Sequence, residues 1–498
     1  MMEAIPNEQP RQIKRPLVLA SIMLAMFLAA IEATIVSTAM PSIAADLGGF
    51  SMYSWVFSAY LLTNAGTVLI FGKLSDLYGR KPIFLIGITV FMLGSVGCGV
   101  AGTMEMLIGA RFIQGIGAGA LMPIATTIVG DIYTKEERAK IQGYLSSVWG
   151  ISAVSGPALG GFFVDVLSWH YVFFMNIPLG LLAMAGVILF FHENIEKKKP
   201  AIDFLGSIWL ILFVSSLLYI LVEGGVGIPW GSPEMYMLLG MSALGFILFL
   251  HQERRAEEPM MPFSIWKHRS ISIANLTSLT TGMILIGVSS YLPAFVQGVM
   301  ERSATVAGFT LTTMSIGWPI AATLAGRLIL TIGFRTTSIL GGVSLIIGGM
   351  IFFMLSPDRG PIWAGTGSFF IGVGMGLSST SFIVSIQTTV GWKLRGIATA
   401  SNMFMRSIGS ALGAALLGGI LNNRINGLIK EEGLSDHISV DTANQLMDAH
   451  QRMLLSEDVR RLLQDALTVG LHHVYAGLLI LAVLSFFLIT MLPKGEKV

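Results

Sequence analysis

The chain has 498 residues, of which 53% are hydrophobic and only 12% charged, with 57 glycines. That balance excludes a soluble globular enzyme or binding domain, in which about 25% of residues are charged. A net charge of +2 is too small to draw a nucleic acid, and the single Cys98, inside an apolar run, excludes a disulfide framework and a cysteine metal centre.

Residues 1–16 form a polar tail with Arg11, Lys14 and Arg15, followed by an apolar run from Leu17 to about Met40. This run continues past Glu32 and many others follow, so it is expected to be a first membrane span rather than a cleaved leader. Runs at Trp55–Phe71, Pro82–Ala101, Met104–Val129, Ile141–Val164 and Tyr171–Phe191 complete six. Phe204–Val222 and Met235–Leu250 add two. Ile271–Val296, Thr305–Leu324, Thr336–Leu355, Ile362–Val390, Ala398–Leu421 and His472–Leu492 bring the total to fourteen. Most approach the roughly 20 apolar residues that carry a helix across about 30 Å of hydrocarbon. The expected fold class is all-α integral membrane.

Of the 31 Lys and Arg residues, 22 fall on one side of this topology, and only Arg302 and Arg359 lie in short loops on the other. Arg111 and Arg406 fall inside spans, and five cations lie in the segment between Leu421 and Gly470. Short Lys- and Arg-rich loops are retained in the cytoplasm, so both termini are expected inside and 422–470 outside. Two amphipathic helices are expected in 422–470. Ser456 can cap one whose apolar stripe is Val459, Leu462, Leu463, Ala466 and Leu467.

The chain also repeats itself. Gly326, Gly333 and Arg335 echo Gly72, Gly79 and Lys81 at an offset of 254 residues. Gly115, Gly117 and Gly119 recur as Gly372, Gly374 and Gly376, and Gly156 and Gly161 as Gly413 and Gly418, at an offset of 257. Two six-helix halves are predicted, with Ala201–Leu250 as an insertion of two helices between them. The expected layout is a tail at 1–16, an N-terminal bundle at 17–192, and a linker with two inserted helices at 193–262. A C-terminal bundle at 263–492 and a tail at 493–498 follow.

The loop between the second and third spans holds Gly72, Asp76, Gly79, Arg80 and Lys81. Its glycines let two helix ends approach, and Asp76 can meet Arg80 or a helix N-terminus. This pattern resembles the loop signature of the major facilitator superfamily, and three further stretches resemble motifs of its fourteen-helix drug:proton antiporter branch. Ile31-Glu32-Ala33-Thr34-Ile35-Val36 resembles the first-helix signature, with Glu where Asp is usual. Arg111, Gln114, Gly115 and Gly117 resemble a fourth-helix motif linked to proton movement. Gly150, Gly156, Pro157, Gly160 and Gly161 resemble the fifth-helix motif of antiporters, and Asn176-Ile-Pro178-Leu-Gly180 follows the family pattern.

The resemblance implies a proton-coupled multidrug exporter of a bacterial plasma membrane, with alternating access and an apolar, Met-rich cavity for hydrophobic or cationic compounds. Its expected partners are the bilayer, protons and those compounds, and the expected state is a monomer without cofactor or metal. Glu32 and Arg111 would couple protons to substrate, and Asp76 with Arg80 would hold the cytoplasmic helix ends together. Gln114, Glu223 and Arg406 are secondary candidates. The alternative is export of one narrow substrate, such as a metabolite, siderophore or tetracycline-like metal chelate. An enzyme is not expected, because no phosphate-binding loop, His-Glu-x-x-His or acidic metal cluster occurs.

Overall fold

The computed structural model describes residues 14–133, 135–193, 204–224, 228–256, 263–390, 392–431, 440–447 and 449–493. The N-terminal half consists of α1 (Arg15–Leu47), α2 (Tyr53–Tyr78), α3 (Arg80–Gly99), α4 (Met104–Ile132) and α5 (Lys135–Phe162), then α6 (His170–Phe174) running into α7 (Asn176–Phe190). The insertion supplies α8 (Phe204–Glu223) and α9 (Pro233–Arg255), followed by the short α10 (Phe263–Trp266). The C-terminal half holds α11 (Arg269–Ala294), α12 (Ala304–Phe353), α13 (Gly360–Thr389), α14 (Trp392–Glu431), α15 (Ala449–Leu454) and α16 (Glu457–Thr490).

Helix is the form these apolar runs must take, since hydrocarbon offers no partner to an unpaired backbone group. Thr103, Ser232 and Ser303 cap α4, α9 and α12, each accepting from a backbone N–H three residues on. Among the described residues, twelve helical stretches are long and apolar enough to cross a bilayer, against the fourteen expected. One of them is α12, whose 50 residues would reach about 75 Å if straight. Gly333 breaks it into a hairpin with a non-helical backbone (φ 82°, ψ 162°). Leu205–Leu221, within α8, is apolar but short of span length.

The sequence repeat reappears in backbone geometry. Gly79, the counterpart of Gly333, holds φ 97° and ψ 153° between α2 and α3, a conformation open essentially to glycine alone. A Cβ on Gly115 or Gly119 would strike the Tyr60 or Asn64 carbonyl of α2, whereas one on Gly117 would strike Phe91 of α3. In the other half Gly372 and Gly376 meet the Met314 and Trp318 carbonyls before the break in α12, and Gly374 meets Leu345 after it. Gly156 of α5 abuts Thr34 of α1, as Gly413 of α14 abuts Met283 of α11. Gly161 and Gly418 abut the opposite half, at Thr305 and Ser54 respectively. Small residues thus set both the packing within each half and the contact between halves.

Two corrections follow for the segment 422–470. It is not one loop, because α14 runs on to Glu431 and the helix expected after Ser456 is the start of α16, unbroken from Glu457 into the last span, so that among the described residues only α15 and a short 3-10 stretch at Val440–Leu446 stand apart. His472 and His473, expected at the start of that span, lie well inside α16, where they bond the Leu355 and Val469 carbonyls. The halves are tied at the end bearing this segment, the outer end in the cation-based topology. There Tyr53 Oη donates to the Ser290 carbonyl (2.8 Å), Gln297 Nε2 to that of Thr38 (3.2 Å) and Asn422 Nδ2 to that of Ser51 (2.6 Å). Residues 440–447 and 449–454 lie across both halves, since Asp441 accepts from the Ser51 N–H, Gln451 bonds Ala45 and Arg452 bonds Gln297.

The insertion packs on one flank only. Leu210, Val214 and Leu218 of α8 fill a seam with Leu62 and Ala65 of α2 and Phe404, Ile408 and Ala411 of α14, while α9 lies outside α8. On the other flank α5 and α12 meet, with no covering helix among the described residues.

Candidate functional site

Glu32 lies near the middle of α1 with no exposed surface, and Arg111 of α4 is 2% exposed. Arg111 Nη1 donates to Glu32 Oε1 at 2.5 Å and to Gln114 Oε1 at 2.6 Å, and its Nε donates to the Val56 carbonyl of α2 at 3.2 Å. The guanidinium also stands over the ring of Tyr60, 4.2 Å from its centroid. Asn176 at the start of α7 donates from Nδ2 to Glu32 Oε2 (2.8 Å) and to Ser95 Oγ of α3 (3.2 Å), and Gln114 Nε2 donates to the same Ser95 Oγ (2.9 Å). Five helices of one half therefore converge on one carboxylate.

The convergence has a local cause. Gly94 lets α3 lie so close to α4 that a Cβ there would be 2.4 Å from the Gln114 nitrogen, and Gly115 does the same for α2. An arginine near the start of the fourth span has the reach to snorkel into headgroups. Here it is instead drawn inward by the acid, a pairing that a low-dielectric setting makes far stronger than in water. Buried charges persist when their remaining donors and acceptors are also satisfied, which Gln114, Asn176 and the Val56 carbonyl achieve. The sequence singled out Glu32, Arg111 and Gln114, and the structure brings all three together. Ser95 and Tyr60 carried no sequence signal, whereas Asn176 stood in a motif without an assigned role.

The second cluster is the loop after α2. Arg80 Nε bonds Asp131 Oδ2 of α4 at 3.2 Å, and its Nη1 bonds the Ser75 carbonyl at 2.9 Å. The N–H groups of Arg80 and Lys81, which open α3, donate to the two carboxylate oxygens of Glu193 (2.8 and 3.0 Å). Lys81 Nζ in turn caps the carbonyls of Ile188 and Phe191 at the end of α7 (2.8 and 2.6 Å). Each helix end is met by the charge its dipole favours. Asp131 and Glu193 were not anticipated, and the side chain of Asp76 lies outside the described residues. Gly72 does not serve close approach, since a Cβ there would meet nothing within 4 Å; Gly79 carries the turn instead.

In the fifth-helix motif Gly156 and Gly160 seat Thr34 and Ile35 of α1, Gly161 seats Thr305, and the Pro157 carbonyl receives Gly308. Gly150 faces open space. Glu223 ends α8 and accepts from Trp55 Nε1 at 3.3 Å. Arg406 on α14 is half-buried and has no hydrogen bond or ion pair to a described residue.

The family model described as Major Facilitator Superfamily matches residues 22–414. "Multidrug resistance protein 3" of Bacillus subtilis (strain 168) is 34% identical over 494 residues, covering 98% of this chain and 96% of that protein. "Multidrug transporter protein MdtP" of the same organism is 34% identical over 430 residues, covering 86% and 79%. Among solved structures, a bacterial homologue of the human lysosomal transporter Spinster in an inward-facing, unoccupied conformation superposes with a TM-score of 0.67 at 17% identity, over 96% of this chain and 97% of that one.

Proposed function

The chain belongs to the Major Facilitator Superfamily, as a multi-pass membrane transporter, and from that premise we propose that it is a proton-coupled antiporter. Its cargo would be hydrophobic, cationic drugs or toxic compounds, expelled across a bacterial plasma membrane by alternating access. The names of the two Bacillus relatives support the cargo class. The observation that carries the coupling is the Glu32–Arg111 pair, ionisable and sealed at hydrocarbon depth. Charges there are costly to keep and mark ion pathways in transporters.

A proton reaching Glu32 removes the charge that Arg111 answers. Arginine keeps its own proton, so it acts only by holding or releasing its partner. Once Glu32 is neutral, Gln114 Oε1, the Val56 carbonyl and the Tyr60 ring still hold the guanidinium, and α4 holds α1 by a hydrogen bond to a neutral carboxyl in place of an ion pair. The stretch of α1 just beyond Glu32 rests on Gly156 and Gly160, a track of small residues on which it can shift. Both Glu32 oxygens accept from donors of the N-terminal half. A cationic substrate therefore competes with the proton for Glu32 only after the pair opens.

A second reading is export of one narrow substrate, such as a metabolite, siderophore or tetracycline-like metal chelate. Arg406 favours it, because a half-buried cation without a described partner suits an anionic group. Uptake into inverted vesicles separates the two. Saturable, protonophore-sensitive accumulation of ethidium and quaternary ammonium compounds is expected. Accumulation of an anionic chelate but no cation would favour the second reading, and indifference to the proton gradient would refute antiport.

A further inference from the structure

At the outer end, between α8, α14 and α16, lies a crevice of about 370 Å³, within the span of about 300–1,000 Å³ usual for small-molecule sites. It has a polar end and an apolar end. Leu416 and Ile420 of α14 and Leu221 of α8 line the deeper part, and Arg424 of α14 and His473 of α16 stand at the shallow part. From Leu416 to Arg424 the helix rises about 12 Å, the depth over which a bilayer passes from headgroup into hydrocarbon. Trp230, 57% exposed on the same wall, is the residue type that sits at that boundary.

Arg424 is the informative residue. Its Nε is buried without an acceptor, and the guanidinium makes no ion pair with a described residue. The nearby acid Glu223 takes the Trp55 indole instead. One guanidinium nitrogen cut off from water with no acceptor is a cost that a bound anion would remove. Asn423 Nδ2 donates to the Gly224 and Gly419 carbonyls, which pins the end of α8 to α14 and fixes the wall of the crevice. His473 donates from Nδ1 to the Val469 carbonyl (2.8 Å), which leaves Nε2 of the neutral ring as an acceptor for a hydroxyl.

We propose that this crevice binds one anionic phospholipid from the leaflet at that end, its phosphate on Arg424, a headgroup hydroxyl on His473 Nε2 and one acyl chain along Leu416, Ile420 and Leu221. Charge selects the headgroup and the apolar wall selects a lipid over a free anion. The bound lipid would join the inserted helix α8 to the C-terminal half as a third component of their contact.

The test is native mass spectrometry of the purified full chain with equal amounts of palmitoyl-oleoyl phosphatidylglycerol and phosphatidylcholine. Wild type should retain one phosphatidylglycerol with roughly tenfold preference, the worth of one charge-assisted contact. Arg424→Gln should erase the preference, Arg424→Lys should keep most of it, and Leu416→Trp should lower retention of both lipids by filling the apolar end. Equal retention of the two lipids by wild type, or an unchanged preference in Arg424→Gln, would overturn the proposal. So would displacement of the lipid by glycerol 1-phosphate, which would mark a plain anion site, or by ethidium, which would mark a drug vestibule.

Discussion

Replacing Glu32 by Gln copies the protonated carboxyl in shape and charge, and the structure allows its effect to be sized. Truncating one member of a buried ion pair costs about 3–5 kcal/mol, because the other charge is left uncompensated. In Glu32→Gln the amide oxygen can still accept from Arg111, a charge-assisted bond worth about 1.5–3 kcal/mol, and Gln114 and Val56 remain in place. The expected loss is therefore about 1–3 kcal/mol for Glu32→Gln and the full 3–5 kcal/mol for Glu32→Ala. Arg111→Gln should be as harmful as Glu32→Ala, and the double variant Glu32→Gln/Arg111→Gln should recover part of the loss. Thermal unfolding in detergent measures these differences. In proteoliposomes at matched protein, Glu32→Gln should bind substrate without pH dependence and exchange it downhill, yet fail to concentrate a cation when a proton gradient is imposed. Uphill accumulation by that variant would refute the coupling role, and equal destabilisation by Gln and Ala would refute the pairing argument.

Gly79→Ala and Gly333→Ala force a side chain into a backbone region that is nearly glycine-only and should each cost about 1–3 kcal/mol. Gly72→Ala meets open space and should stay within about 0.5 kcal/mol of wild type, by the same melting assay. Gly156→Ala drives a Cβ to 1.9 Å from Thr34 Oγ1 and should slow transport sharply, whereas Gly150→Ala, in open space, should not; initial rates of uptake decide. At the end bearing the segment 422–470, burial raises the Glu301 carboxyl, but the hydrogen bond from Arg460 and the charges of Arg452 and Arg460 outweigh it and hold the group below its usual range. A lowered folded pKa means stabilisation that is present above the unfolded value of about 4.3 and lost as pH falls through the folded one. Glu301→Gln should thus lower the melting point at neutral pH and make little difference once the medium is more acidic than that folded value. Impermeant thiol labelling in a Cys98→Ser background should reach Gln445→Cys from outside the cell and Glu137→Cys only after permeabilisation; the opposite sidedness would overturn the cation-based topology.

What could be read from the chain beforehand divides along physical lines. Hydrocarbon depth is a property of one run, so Glu32 and Arg111 stood out as charges in apolar surroundings. Their meeting is a property of how two helices are rotated and packed; their separation of 79 positions says nothing of it. The glycine spacings did encode packing, since a small residue is where another backbone approaches, and the offset of 257 reappears as contact with matching neighbours. The partners at helix ends were hidden for another reason. Glu193 follows the sixth span in an ordinary polar linker, and only the fold brings it to the N–H groups of Arg80 and Lys81. Gly72 shows the reverse error, a motif position whose expected close neighbour is absent.

The placement of α8 has a consequence for traffic within the plane of the bilayer. An amphiphile dissolved among the lipids meets the junction of the halves through two dissimilar walls. At the α5–α12 flank it is one helix away, whereas at the α2–α14 flank α8 and α9 interpose two more layers, each about 10 Å thick. Among the described residues, the insertion therefore removes the twofold equivalence of the two lateral approaches, leaving the thinner wall on the α5–α12 side.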